Sequence, residues 1–185
     1  FNRNISDWDV SNVTDMSSMF HDSVFDQPIG NWNVSNVTSM AHMFFGVETF
    51  NQDVGNWDVS NVTYMRSMFQ NSVFDQPIGN WDVRNVTSMA NMFDNSNLST
   101  ENYDTILNGW STLTLQPSVE LGAVGINYCN GEQARQSIID TFGWTIIDAG
   151  LAVDCVLGID DINLPSVVIY PMPATTTINI NSKTI

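Results

Sequence analysis

FNRNISDWDVSNVTDMSSMF at residues 1–20 returns as FDQPIGNWNVSNVTSMAHMF at 25–44, as FNQDVGNWDVSNVTYMRSMF at 50–69 and as FDQPIGNWDVRNVTSMANMF at 74–93. Self-similarity at a fixed short period identifies a tandem array. The leading phenylalanines Phe1, Phe25, Phe50 and Phe74 and the tryptophans Trp8, Trp32, Trp57 and Trp81 keep spacings of 24, 25 and 24 residues. A unit this short cannot enclose a core of its own. It has to bury its apolar face against its neighbours, so the sequence reads as an α/β repeat solenoid with four units over residues 1–97.

Inside one unit the apolar spacing changes character. Trp8 and Val10 alternate with Asp7, Asp9 and Ser11, the period of a short strand with one face inward. From Thr14 onward Met16, Met19 and Phe20 recur at three and four, which predicts a helix of about two turns. Thr14, Thr38, Thr63 and Thr87 stand where a helix N-cap belongs. Asn12, Asn36, Asn61 and Asn85 precede them, and their amides are expected to bond backbone groups of the adjacent coil as a ladder. The M-x-x-M-F methionines and the tryptophans are expected in the core.

The chain has 185 residues, 20 acidic and 5 basic side chains, 2 histidines, 2 cysteines and a net charge of −15. Arg3, Arg66, Arg84, Arg135 and Lys183 are scattered along the length, so neither a nucleic-acid partner nor binding to an anionic membrane surface is expected. No stretch approaches the roughly 18 consecutive apolar residues of a transmembrane helix, so no membrane insertion is expected. Phe1 does not open a signal peptide, and any such segment is expected outside these residues. At 43% hydrophobic and 11% aromatic, the acidity does not imply disorder.

The motif W-[DN]-V-[SR]-N-V-T-x-M-x-x-M-F over residues 1–97 resembles the leucine-rich-repeat solenoids and, more closely, the surface-protein repeats of the BspA-like family. The resemblance implies a right-handed coil with a short parallel sheet on one face and short helices on the other. It further implies an exported bacterial protein engaged in adhesion or protein contact, and it transfers no catalytic residue.

After Asn97 the pattern stops. LSTENYDTILNGW predicts a helix with Tyr103, Ile106, Leu107 and Trp110 on one side. QPSVELGAVG reads as a strand, NGEQARQSIIDTFG as a helix from about Gly131 to Phe142 ended by Gly143, and WTIIDAG as a second strand. Residues 98–150 are therefore expected to cap the array. Cys129 and Cys155, 26 residues apart, form one disulfide in an exported protein or remain two buried thiols, and two thiols without a histidine cannot fill a zinc shell. Residues 151–166 read as a linker. VVIYPMPATTTINI at 167–180 resembles the opening of the C-terminal sorting domain of Bacteroidetes cargo for the type IX secretion system, with Tyr170, Pro171, Pro173 and Ala174 at the turn between two strands and Met172 where asparagine is usual. That resemblance implies the first strands of an incomplete β-sandwich over 167–185, and the secretion machinery as a partner.

The outward strand residues are the candidates for ligand contact. Asp7, Asp9, Asn33, Asp58, Asp82 and Arg84 recur in register and would form a polar, acidic stripe spaced at about 4.8 Å per coil. Like charges at that spacing favour a cation or a polyhydroxylated or basic partner, while a solvated face copied by duplication explains the same pattern. No D-x-[DN]-x-[DN]-G loop, H-E-x-x-H, G-x-S-x-G or Cys–His pattern occurs. His21 and His42 sit at unlike positions of the repeat. The expectation is a secreted or outer-membrane surface protein, not an enzyme, with no metal and no cofactor, that binds an extracellular protein or glycan. A spacer or surface-layer scaffold is the alternative.

Overall fold

The computed structural model describes residues 1–156, and the sorting segment around Tyr170, Pro171, Pro173 and Ala174 lies outside the described residues. Each repeat forms one coil whose backbone polar groups are satisfied by the next coil. Alternate N–H groups donate forward, Met16 to Ser39, Ser18 to Ala41, Phe20 to Met43 and Asp22 to Phe45, at 2.8–3.0 Å. The residues between bond back three positions, Met19 to Met16 and His21 to Ser18. The set repeats from Met40, His42, Phe44 and Gly46 to Tyr64, Arg66, Met68 and Gln70, and from Met65, Ser67, Phe69 and Asn71 to Ser88, Ala90, Met92 and Asp94.

The M-x-x-M-F segment is therefore a run of tight turns, not the helix that its spacing predicts. Ser18, His42, Ser67 and Asn91 all have φ between 53° and 58°, and Asp22, Gly46, Asn71 and Asn95 have φ between 50° and 66°. A left-handed residue at every fourth position stops helical continuation, and glycine or short polar residues adopt it most readily. Turns of three and four residues return the methionines to the core as a helix would. Met40, Met43, Met65, Met68, Met89 and Met92 are fully buried.

The expected strand at Trp8–Val10 is likewise displaced. Backbone bonds from Trp8 to Ile5 (3.0 Å) and from Val13 to Val10 (2.9 Å) make a turn on each side of it. Parallel pairing falls one segment later, with one residue pair per coil: Asp15 with Ser39, Ser39 with Tyr64, Tyr64 with Ser88. The threonines do not cap helices. The Thr38, Thr63 and Thr87 hydroxyls donate to the Thr14, Thr38 and Thr63 carbonyls at 3.0–3.2 Å, beside N–H bonds to the same oxygens. The asparagine ladder forms as expected, Asn36, Asn61 and Asn85 donating to Ser11, Ser35 and Ser60 carbonyls at 2.7 Å. Trp32, Trp57 and Trp81 donate their indole N–H groups to the Ile5, Ile29 and Val54 carbonyls at 3.1–3.2 Å. Each such bond contributes about 1 kcal/mol net, and losing one partner costs more where the other stays buried.

The core is a set of aromatic columns. Phe20, Phe44, Phe69 and Phe93 stack at 5.4–5.9 Å between successive coils, and Phe25, Phe50 and Phe74, which open the next unit, pack against Phe20, Phe44 and Phe69 at 3.8–4.1 Å. Trp32, Trp57 and Trp81 are buried, whereas Trp8, expected inside with them, is 53% exposed because no coil lies against its outer side among the described residues.

Beyond the repeats come α1 (Thr100–Trp110), β1 (Glu120–Ala123), α2 (Glu132–Phe142), β2 (Thr145–Asp148) and a short turn of helix, α3 (Val153–Val156). Tyr103, Ile106, Leu107 and Trp110 of α1 are fully buried, the face its spacing predicts. β1 takes the place of a fifth coil, with Phe93 donating to Gly122, Asn95 to Val124 and Gly122 back to Met89. β2 pairs parallel with β1 from Glu120–Thr145 to Ala123–Asp148. Gly143, with φ 67°, ends α2.

Buried carboxylates fasten these pieces. Asp104 accepts from the N–H groups of Cys129, Asn130 and Gly131 at 2.8–2.9 Å, fixing the loop before α2. Asp148 accepts from Arg135 (2.7 Å) and from the Tyr103 hydroxyl (3.0 Å), and burial beside that carboxylate pushes the Tyr103 hydroxyl pKa up. Burial would raise the Asp75 carboxyl, but bonds from Ser99 and Asn102 outweigh it and hold the group below the ordinary carboxylate value. Residues 151–156, expected as the start of a linker, are held to the cap instead. Ala152 donates to Tyr128, Leu151 pairs with Tyr128, and Cys155 is bridged to Cys129 with their Cα atoms 5.5 Å apart.

Successive coils approach too closely for side chains at one position. A Cβ on Gly79 would meet the Thr105 carbonyl of α1, and one on Gly109 would meet the Gly79 carbonyl, backbone atoms that cannot swing away. Gly79→Ala is expected to cost about 1–3 kcal/mol by overpacking, lowering Tm by about 2–4 °C for each kcal/mol in a domain of this size. Thermal unfolding followed by circular dichroism checks it, and an unchanged Tm would contradict the close approach.

Candidate binding surfaces

The acidic row is brought into register, but its side chains are already at work in the backbone. Asp9 accepts from the Ser11 N–H (3.0 Å) and hydroxyl (2.6 Å), and Asn33 accepts from the same groups of Ser35 at 3.2 and 2.7 Å. Asp58 accepts from the Ser60 N–H at 3.1 Å. In the fourth coil Asp82 accepts from the Arg84 N–H at 3.2 Å and holds the guanidinium with both oxygens, at 2.9 and 2.6 Å. An acceptor bonding the N–H two residues on closes an Asx turn, so this position builds the bend after each tryptophan. The hydroxyl of Ser11 holds the Asp9 carboxyl below its usual pKa, and the Arg84 side chain does the same for Asp82. Asp7 is exposed beside the row.

The turn explains why asparagine, at Asn33, can replace the aspartate of the other three coils. Both present an oxygen to the same N–H, so the charge is dispensable to the fold while the oxygen is not. One oxygen of Asp9 and of Asp58 is left for solvent or a ligand. Next to Asp82, a shallow depression of about 440 Å³ is lined by Ser60, Asn61, Arg84, Asn85, Thr114 and Gln116, and Gln116 donates to the Arg84 carbonyl at 3.0 Å. Among the described residues no three His, Cys, Asp or Glu side chains converge to hold a metal ion.

The structure assembles a second surface that residue-by-residue reading misses. His21 and His42 occupy unlike repeat positions, yet their rings lie 6.4 Å apart, edge to face. Phe45 is the counterpart of His21 one coil on, and the two rings stack at 4.8 Å. His42 donates its backbone N–H to Arg66, and its imidazole pKa is lowered by burial first, then by the Arg66 and His21 charges. Tyr64 is 54% exposed on the parallel row, two residues before Arg66 on the same side of the chain. Outward residues here change from coil to coil, Asp15, Ser39, Tyr64, Ser88 and Ser17, Ala41, Arg66, Ala90, between framework residues that do not. That contrast was readable as position-specific variation among the four copies. It lacked only the backbone path that puts the variable positions side by side.

The family described as "Mycoplasma protein of unknown function, DUF285" matches residues 1–110, and the chain belongs to it. No curated protein and no solved structure matches.

The Asx-turn role separates charge from oxygen in a measurable way. Asp58→Asn is expected to leave stability within about 0.5 kcal/mol of the parent, as a surface change does, whereas Asp58→Ala, which removes the acceptor, is expected to cost about 0.5–1.5 kcal/mol. Urea unfolding of the two variants checks the pair, and equal stabilities would remove the turn from the account.

Proposed function

For this member of the DUF285 family we propose a non-catalytic binding or adhesion module at or beyond the bacterial cell surface. The observation that carries it is the division of labour within each repeat. The side chains that bond coil to coil, the Trp indoles, Asn amides and Thr hydroxyls, are kept from copy to copy, and exposed residues on the parallel row, which contribute only backbone groups to the frame, are not. A rigid frame with a varied exposed face is the arrangement by which repeat arrays present binding surfaces. The acidic row of Asp7, Asp9, Asn33, Asp58 and Asp82, with Arg84 at its end, is the second candidate face. Its free carboxylate oxygens suit a polyhydroxylated or basic partner.

Binding of the 185-residue chain to panels of glycans and extracellular proteins tests this reading. The Asp9→Asn, Asp58→Asn, Asp82→Asn triple variant keeps the turns and removes the charge. Selective binding is the expected result, and its loss in the triple variant would place the ligand on the acidic row. Silence across the panel, together with self-association that rises with concentration, would overturn the binding reading in favour of a spacer or surface-layer scaffold.

Export is the other half of the proposal. It is supported by the Cys129–Cys155 bridge, which belongs to an oxidising compartment, and by the likeness of the Tyr170, Pro171, Pro173 and Ala174 sequence to the Y-P-x-P-A motif of sorting domains. The segment 167–185 would be read by the type IX secretion machinery. Deleting residues 165–185 in a host carrying that machinery is expected to leave the protein in the periplasm, measured by fractionation. Normal export of the truncated chain would contradict it.

A further inference from the structure

The two ends of the array are finished differently. At the far end β1 closes the fourth coil, with Phe93 and Asn95 donating to Gly122 and Val124. The first coil keeps the apolar residues of an interior coil on its outer face. Phe1 is 62% exposed, and Trp8 and Met19 are exposed with it, whereas their counterparts Phe25, Trp32 and Met43 are buried. A coil that ends an array needs a polar face toward water, and this one does not have it. Its hydrogen-bonding groups are left over in the same way. The Asp15, Ser17, Met19 and His21 carbonyls correspond to those of Ser39, Ala41, Met43 and Phe45, which accept from the coil before, yet among the described residues no backbone N–H donates to them. The Trp8 indole, the Asn12 amide and the Thr14 hydroxyl have, among the described residues, no counterpart of the carbonyl that Trp32, Asn36 and Thr38 each reach one coil back.

We propose that the outer face of the first coil is an assembly surface and that its occupant is one more coil of this same repeat. The groups match in kind and in order. A coil laid on the face would donate from the four N–H groups that Met40, His42, Phe44 and Gly46 give to the third coil. It would offer to Trp8, Asn12 and Thr14 the carbonyls that Ile29, Ser35 and Thr38 offer to Trp57, Asn61 and Thr63. The receiving coil is close in sequence to the third, with W-D-V-S-N-V-T at 8–14 and again at 57–63. A second copy of this chain does not match the face. Its far end is covered by β1, and two first coils face to face would set carbonyls against carbonyls, because the alternate N–H groups of Met16, Ser18, Phe20 and Asp22 are already given to the second coil.

The repeat itself supplies the test. Residues 25–49 duplicated directly ahead of Phe1 of the 185-residue chain reproduce across the new junction the spacing from Phe25 to Phe50, and Trp32→Phe in the added copy leaves Trp8 as the reporter. Trp8 is the one exposed tryptophan, so acrylamide quenching of fluorescence reads it against the five buried ones. The expected result is loss of the quencher-accessible fraction and a Tm raised by about 4 °C or more, while an added coil of the same composition in scrambled order changes neither. Asn12→Ala is expected to leave the Tm of the 185-residue chain unchanged and to remove part of the gain in the extended chain, because only there does the amide meet a carbonyl. Trp8 still accessible or Tm unmoved in the extended chain overturns the inference, as does equal protection by the scrambled coil or an equal effect of Asn12→Ala in both chains. Concentration-dependent dimerisation of the 185-residue chain that shields Trp8 would put a second copy on this face and overturn it as well.

Discussion

Every coil of this array depends on hydrogen bonds that only another coil can provide. A segment of 24 or 25 residues with two left-handed turns cannot pair its own N–H and C=O groups as a helix would, and leaving them buried and unpaired would cost more than the fold could sustain. The four forward bonds per coil, from Met16, Ser18, Phe20 and Asp22 in the first, remove that cost in register. Side chains extend the same logic. The Trp indoles, the Asn amides and the Thr hydroxyls each reach one coil back to a carbonyl. A slip of one residue would unpair all of these groups at once, which is why the period varies so little.

The apolar columns follow from that register. Once Phe20 and Phe44 are held one coil apart, their rings stack without any further instruction, and each buried aromatic contributes about 1.5–3 kcal/mol by removal from water. The cap solves the problem that stacking creates at the far end. β1 satisfies the fourth coil's outward groups, and α1, α2 and β2 cover its apolar side, pinned by the carboxylates of Asp75, Asp104 and Asp148. Those three aspartates stand within hydrogen-bond reach of buried donors, so their role is fastening and not chemistry.

Function, on the reading proposed above, is confined to what this frame leaves unused. The Asx-turn aspartates show how narrow that margin is. Their position recurs because the turn needs an oxygen, so a repeated acidic residue is first a structural feature and only then a candidate contact. The row carrying Tyr64 and Arg66 is the reverse case. No backbone requirement explains those residues, and serine and alanine serve the frame equally well at the same places in other coils.

What the sequence by itself determined is the array: its period, its inward tryptophans, phenylalanines and methionines, its asparagine ladder, and the α1 face and the α2 and β strands of the cap. Periodic burial and side-chain chemistry are local in the chain and survive reading in one dimension. Only the tertiary structure decided the secondary structure inside a coil. The three-and-four spacing of Met16, Met19 and Phe20 suits a helix and a chain of turns equally, and the choice is made by where the backbone bonds go, which is to the next coil. The threonines and the displaced parallel row follow from that choice. So does the meeting of His21, His42 and Phe45, because residues at unlike positions of the repeat become neighbours only when one coil is laid on the next.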